Sequence, residues 1–106
     1  LSGCTQLQSL NISDCGALTN PPDLSGCPQL QSLDTSGCWR LTSLPVLSGC
    51  TQLQILNITG CNVTNPPDLS LCTQLRNLNI SDCGALTSPP DLSRCTQLQS
   101  LNISDC

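Results

Sequence analysis

The 106-residue chain carries three arginines, seven aspartates and a net charge of −4, with no lysine, glutamate or histidine, so it lacks the basic footprint of a nucleic-acid binder. Without His, Lys, Glu or Tyr it also lacks the usual bases that activate Ser or Cys, and the reading is a non-enzymatic chain with no cofactor and no metal. No apolar run approaches the roughly 20 residues needed to cross a bilayer, so no membrane span is expected.

Five near-copies of one phrase run along the chain: 1–23, 24–46, 47–68, 69–91 and the truncated 92–106. The spacing is 23 residues except across the third copy, where a residue is missing just after Cys61 and the spacing falls to 22. Such a period describes a stack of one structural unit in which each coil buries little by itself and neighbours supply the core. The opening residue is not Met, the last copy stops mid-repeat and no capping segment is recognisable, so the sequence reads as a piece of a longer solenoid.

Within the first copy, Leu1, Leu7, Leu10 and Ile12 head the apolar columns. The stretch Leu7–Cys15 alternates Leu10 and Ile12 with Ser9, Asn11 and Ser13, the period-two signature of a half-buried strand. Successive copies then lay parallel strands side by side, about 4.8 Å apart. The segment returning to the next strand contains Pro21-Pro22, repeated as Pro66-Pro67 and Pro89-Pro90, which removes backbone donors and favours extended chain. A short 3₁₀ turn near Ser25–Gln29 is the most helix expected.

The pattern Leu7-x-x-Leu10-x-Ile12-x-x-Cys15-x-x-Leu18 resembles that of the leucine-rich repeat family, and the other copies match it to varying extents. The resemblance implies a solenoid with a parallel β-sheet on the concave face, Pro-rich extended or 3₁₀ return segments on the convex face, and little or no α-helix. The second copy, LQSLDTSGCWRLTSLPVLSGC, resembles the repeats of plant intracellular immune receptors, whose leucine-rich regions recognise ligands or hold a signalling module inactive.

Ten cysteines form two columns: Cys4, Cys27, Cys50, Cys72 and Cys95 on the return, and Cys15, Cys38, Cys61, Cys83 and Cys106 just after the strand. The columns lie 11 residues apart, half a coil, which argues against pairing within a repeat. Two readings stay open: ladders of small buried thiols bonding to loop backbone, or disulfides between neighbouring coils.

The outward columns, headed by Ser9, Asn11, Ser13 and Asp14, are where a partner would bind. They form a grid of hydroxyls and amides without aromatic or Arg anchors, suited to a periodic ligand such as a glycan, to ice, or to another copy of the chain. Five Asn-x-Ser/Thr acceptor sites for N-linked sugar occur, at Asn11, Asn57, Asn62, Asn79 and Asn102. Asn62 is the most accessible of them, and the competing reading is an asparagine ladder hydrogen-bonded along the axis. Asp23, Asp68 and Asp91 follow Pro-Pro and are read as turn or cap residues. Trp39, beside Arg40, stands where other copies have Gly16 or Gly84 and is read as a cover for the neighbouring coil or a surface contact.

The sequence therefore points to a structural or adhesive solenoid outside the cell or on its surface, glycosylated and associating with itself along its axis. The alternative is a cytoplasmic recognition segment of a larger receptor with a protein partner.

Overall fold

The computed structural model describes residues 5–21, 23–24, 26–86 and 88–103; Cys4, Cys106, Asp105 and Ser25 lie outside the described residues. Five strands, β1 (Ser9–Asn11), β2 (Ser32–Asp34), β3 (Ile55–Asn57), β4 (Asn77–Asn79) and β5 (Ser100–Asn102), form one parallel sheet in the order β1-β2-β3-β4-β5. Each strand pairs with its counterpart one repeat later, so Leu10, Leu33, Leu56, Leu78 and Leu101 fall in one row. The described residues contain no helix. This is the solenoid expected from the period.

Although each strand is three residues long, the backbone ladder between coils extends past both ends. The carbonyls of Gln8, Gln31, Gln54 and Arg76 each accept two amides from the next coil. Beyond the strands, Ile12 donates to Asp34 O at 2.9 Å and Asp14 to Ser36 O at 2.8 Å, and the same pair of bonds recurs between the second and third and the third and fourth coils.

The return path is built from tight turns. Leu24, Cys27 and Leu30 are spaced by three, and each turn closes with an amide bonding to the carbonyl three residues back: Cys27 to Leu24 at 3.0 Å and Leu30 to Cys27 at 3.3 Å. The same turns recur at Leu47/Cys50/Leu53, Leu69/Cys72/Leu75 and Leu92/Cys95/Leu98. A spacing of three thus brings Leu, Cys and Leu to the inside at successive corners. These tight turns and extended chain, with no helix among the described residues, are the kind of return path the Pro-rich segments led one to expect.

The core is made of these columns. Leu30, Leu53 and Leu75, Leu33, Leu56 and Leu78, and the thiols between them are fully buried, and the end coils are less covered, with Leu7, Leu10, Leu92 and Leu98 only partly buried. Thr35 occupies the isoleucine column and is fully buried too; its hydroxyl lies 3.9 Å from the Cys61 sulfur. Among the described residues no buried side-chain nitrogen or oxygen lacks a partner, as a well-formed interior requires.

Candidate functional site

The sheet face ends in a turn in the first four coils, and the side chains there are committed locally. Asn11 Oδ1 accepts the Ser13 amide at 2.9 Å. Asp34 Oδ1 accepts both the amide of Ser36, at 2.9 Å, and its hydroxyl, at 2.6 Å. Asn57 receives the amide and hydroxyl of Thr59 at 3.2 and 2.8 Å, and Asn79 those of Ser81 at 3.1 and 2.9 Å. A short Asx side chain reaching the amide two residues on is a turn device. The carbonyl oxygens that an axial asparagine ladder would need are therefore turned onto their own loops, and that expectation is corrected.

The column Asp14, Gly37, Gly60 and Asp82 also proves to be a turn position rather than a ligand face. All four residues have positive φ, at 58°, 74°, 76° and 58°, which glycine adopts freely and Asp tolerates better than most residues. The result is a flat, regular face whose polar groups hold the corner of each coil.

Both described cysteine columns point inward, apart from the exposed Cys15 of the first coil. Cys38 Sγ donates to Ile12 O at 3.0 Å, Cys61 to Thr35 O at 3.2 Å and Cys83 to Ile58 O at 3.2 Å. On the return side, Cys72 approaches Cys50 O at 3.8 Å and Cys95 approaches Cys72 O at 3.7 Å. Each of these five thiols reaches a backbone carbonyl of the coil before it.

Burial pushes the Cys38, Cys50, Cys61 and Cys95 thiols up and takes Cys72 from 9.0 to about 11. A thiol held protonated is a poor nucleophile. Alkylation of the native protein is expected to label Cys15 and to reach the buried described thiols only after denaturation; equal rates at all of them would contradict this packing. These five buried thiols keep their protons to higher pH folded than unfolded, so the stability they supply is complete below pH 9.0 and is lost above it, for Cys72 as pH rises toward about 11. Thermal melts across that interval check the sign, and melts that hold steady through it would count against it.

Of the sugar acceptor sites, Asn57 and Asn79 are half-buried with their Oδ1 atoms engaged, while Asn11 is exposed. Asn62 is exposed as expected, but it has a structural task that sequence reasoning missed. The third coil is one residue shorter after Cys61, and where the second coil closes a turn by the Leu41 amide on Cys38 O at 3.0 Å, the third runs straight from Cys61 through Asn62 to Val63. Asn62 fills in: its amide donates to Leu41 O at 3.2 Å and its Nδ2 to Trp39 O. Asn102, in β5, is exposed and has partners of its own.

Trp39 lies against the preceding coil. A Cβ on Gly16 would stand 2.8 Å from the indole Nε1, so glycine there makes room for the ring. The Arg40 guanidinium sits 4.9 Å from the ring centre, within reach of a cation–π attraction. The ring nevertheless remains 54% exposed, so it covers its neighbour and still faces solvent.

A groove of about 330 Å³ opens between the return segments of the second and third coils. Leu44, Pro45 and Val46 line one wall, Pro66 and Pro67 the other, with Asp68 at the rim. The signal for it was present in the sequence: the second copy carries Leu-Pro-Val where the others carry Pro-Pro-Asp. Asp68 and Asp91 take the expected turn role, accepting the amides of Ser70 and Ser93 at 3.1 and 3.0 Å. Side-chain and backbone hydrogen bonds from these serines hold both carboxyls below the usual range.

A family model described as a leucine-rich repeat matches residues 49–66. No curated protein and no solved structure matches the chain.

Proposed function

We propose that this chain, a solenoid whose residues 49–66 match a leucine-rich repeat family model, acts as a structural or adhesive scaffold outside the cell, carrying N-linked sugar and associating through a repeating surface. Folds of this family typically serve as non-enzymatic binding scaffolds. The observation that carries the reading is the sheet face: its side chains stand in register over five strands, and a turn in the same local geometry follows the first four. A protein-specific receptor face concentrates its binding energy in a few aromatic or Arg anchors. This face instead repeats its layout, with Ser9, Ser32 and Ser100 in one column interrupted by Ile55 and Asn77, and Asn11, Asn57, Asn79 and Asn102 in the next interrupted by Asp34, which suits a periodic glycan or another copy of the chain.

The second reading, a recognition segment of a larger cytoplasmic receptor, is favoured by the thiol-to-carbonyl bonds, which suit a reducing compartment. Intact-mass measurement before and after glycosidase treatment separates the two. Sugar on Asn62 or Asn11 is the expected result for the extracellular scaffold. A sugar-free native chain with fully reduced thiols would remove that reading in favour of the receptor.

A further inference from the structure

Three departures from the repeat gather around the second coil: Trp39-Arg40, the Leu44-Pro45-Val46 segment, and the shortened third coil. Together they make a protrusion and a cavity. The protrusion is the indole with Arg40 beside it, its backbone pinned by Asn62 from the next coil. The cavity is the groove walled by Val46, 75% exposed, and by Pro66, with exposed Asp68 at its rim.

The indole cannot fill the groove of its own chain. Its edge lies over Gly16 of the first coil, whereas the groove opens between the second and third coils. The charges are nonetheless complementary. Among the described residues Arg40 is held by the ring, and Asp68 is a fully exposed carboxylate bonded only to the turn of Ser70. Proline rings and a branched side chain also make an apolar wall of the kind that aromatic rings pack against.

We infer that the Trp39–Arg40 corner of one copy docks into the Pro45/Pro66 groove of a second copy, with the Arg40 guanidinium on the Asp68 carboxylate. The groove has the volume of a small ligand cleft, which begins near about 300 Å³, and so takes one bicyclic ring. Trp and Arg are the residue types that most often anchor such contacts, and a guanidinium–carboxylate pair fixes the orientation. Because the protrusion and the groove are different patches, a pair joined by one such contact still presents one of each and the association runs on, whereas a twofold pair that forms both contacts closes at a dimer. This rests on the adhesive reading and names its partner, but the contact is lateral and separate from stacking along the axis.

Trp39 is the chain's sole aromatic residue, so its fluorescence reports this contact without interference. As concentration rises, its emission is expected to shift to shorter wavelength over the range in which the sedimentation coefficient increases. Arg40→Asp and Asp68→Arg should each weaken association by at least about tenfold, and the double variant should restore it. Both positions are exposed, so circular dichroism is expected to show an unchanged fold. Association that ignores both single substitutions, or that the double variant fails to restore, overturns the corner-in-groove contact while leaving axial stacking intact. A chain that stays monomeric with unshifted emission overturns it as well. Loss of sugar alone would touch only the extracellular reading.

Discussion

Replacing Leu56 with alanine is expected to cost about 3 kcal/mol, within the range measured for leucine-to-alanine changes in closed cores. Leu56 is 1% exposed and sits in the middle row of the sheet, between Leu33 and Leu78. Both coils that could collapse into the vacancy are held in register by backbone ladders on either side of the strand, so the cavity stays open. Domains of this size hold only about 5–15 kcal/mol in total, and the single change removes a large part of that. The same substitution at Leu101, 43% exposed in the last described coil, should cost less than half as much, since a half-solvated side chain loses less on truncation. Urea denaturation of the two variants provides the comparison. A stack in which each coil touches only its neighbours predicts this dependence on position; equal losses at the two sites would show that the coils do not share their core in this way.

Gly37→Val is expected to destabilise by about 2 kcal/mol or more, because a β-branched residue is strained in the left-handed region. Gly37 has φ of 74°, and a Cβ there would stand 3.3 Å from the Asp14 amide, against the Asp14 carboxylate. The valine would also press on a ladder position, since Gly37 N donates to Thr59 O at 2.7 Å. Gly60→Asp is the informative contrast. Its φ is 76°, its nearest neighbour would be 3.6 Å from the new Cβ, and Asp14 and Asp82 already hold φ of 58° in the same column. That change should cost less than about 1 kcal/mol, given the tolerance of Asp for this conformation. If the aspartate at the uncrowded Gly60 proves as costly as the valine, crowding cannot account for it and the tolerance of Asp for this conformation fails in this column.

Much of the architecture could be read before any coordinates were at hand. A 23-residue period of leucines can bury itself only by stacking, and the period-two stretch Leu7–Cys15 could lie in that stack only as a strand beside its own copy. Register, sheet order and the membership of Leu33, Leu56 and Leu78 in one row follow from that repetition. The cysteine columns were legible as columns, but their role turned on distances: half a coil excludes pairing within a repeat, yet says nothing of whether a thiol meets a thiol or a carbonyl.

The candidate site was harder to read because it consists of what breaks the repeat. Trp39 could be recognised as a cover for its neighbour from the glycines in its column. Asn62 could not be recognised as the brace of the shortened coil, since its partners lie 21 and 23 residues earlier and meet it only once the coils are stacked. The same holds for the asparagines of the sheet face, where ladder and turn use the same atoms. The turn prevailed because the amide two residues on, and in Asp34, Asn57 and Asn79 the hydroxyl as well, lies within reach of Oδ1 without help from another coil.

By itself the sequence determined the unit, its direction, its register and the identity of its core, because these depend on periodicity, and periodicity is local information repeated. Only the tertiary structure decided which polar atoms are already taken, where the second and third coils part to form a groove, and that Trp39 leans away from that groove rather than into it. Those outcomes depend on distances between residues that no repeat relates, and such distances exist only once the chain is folded.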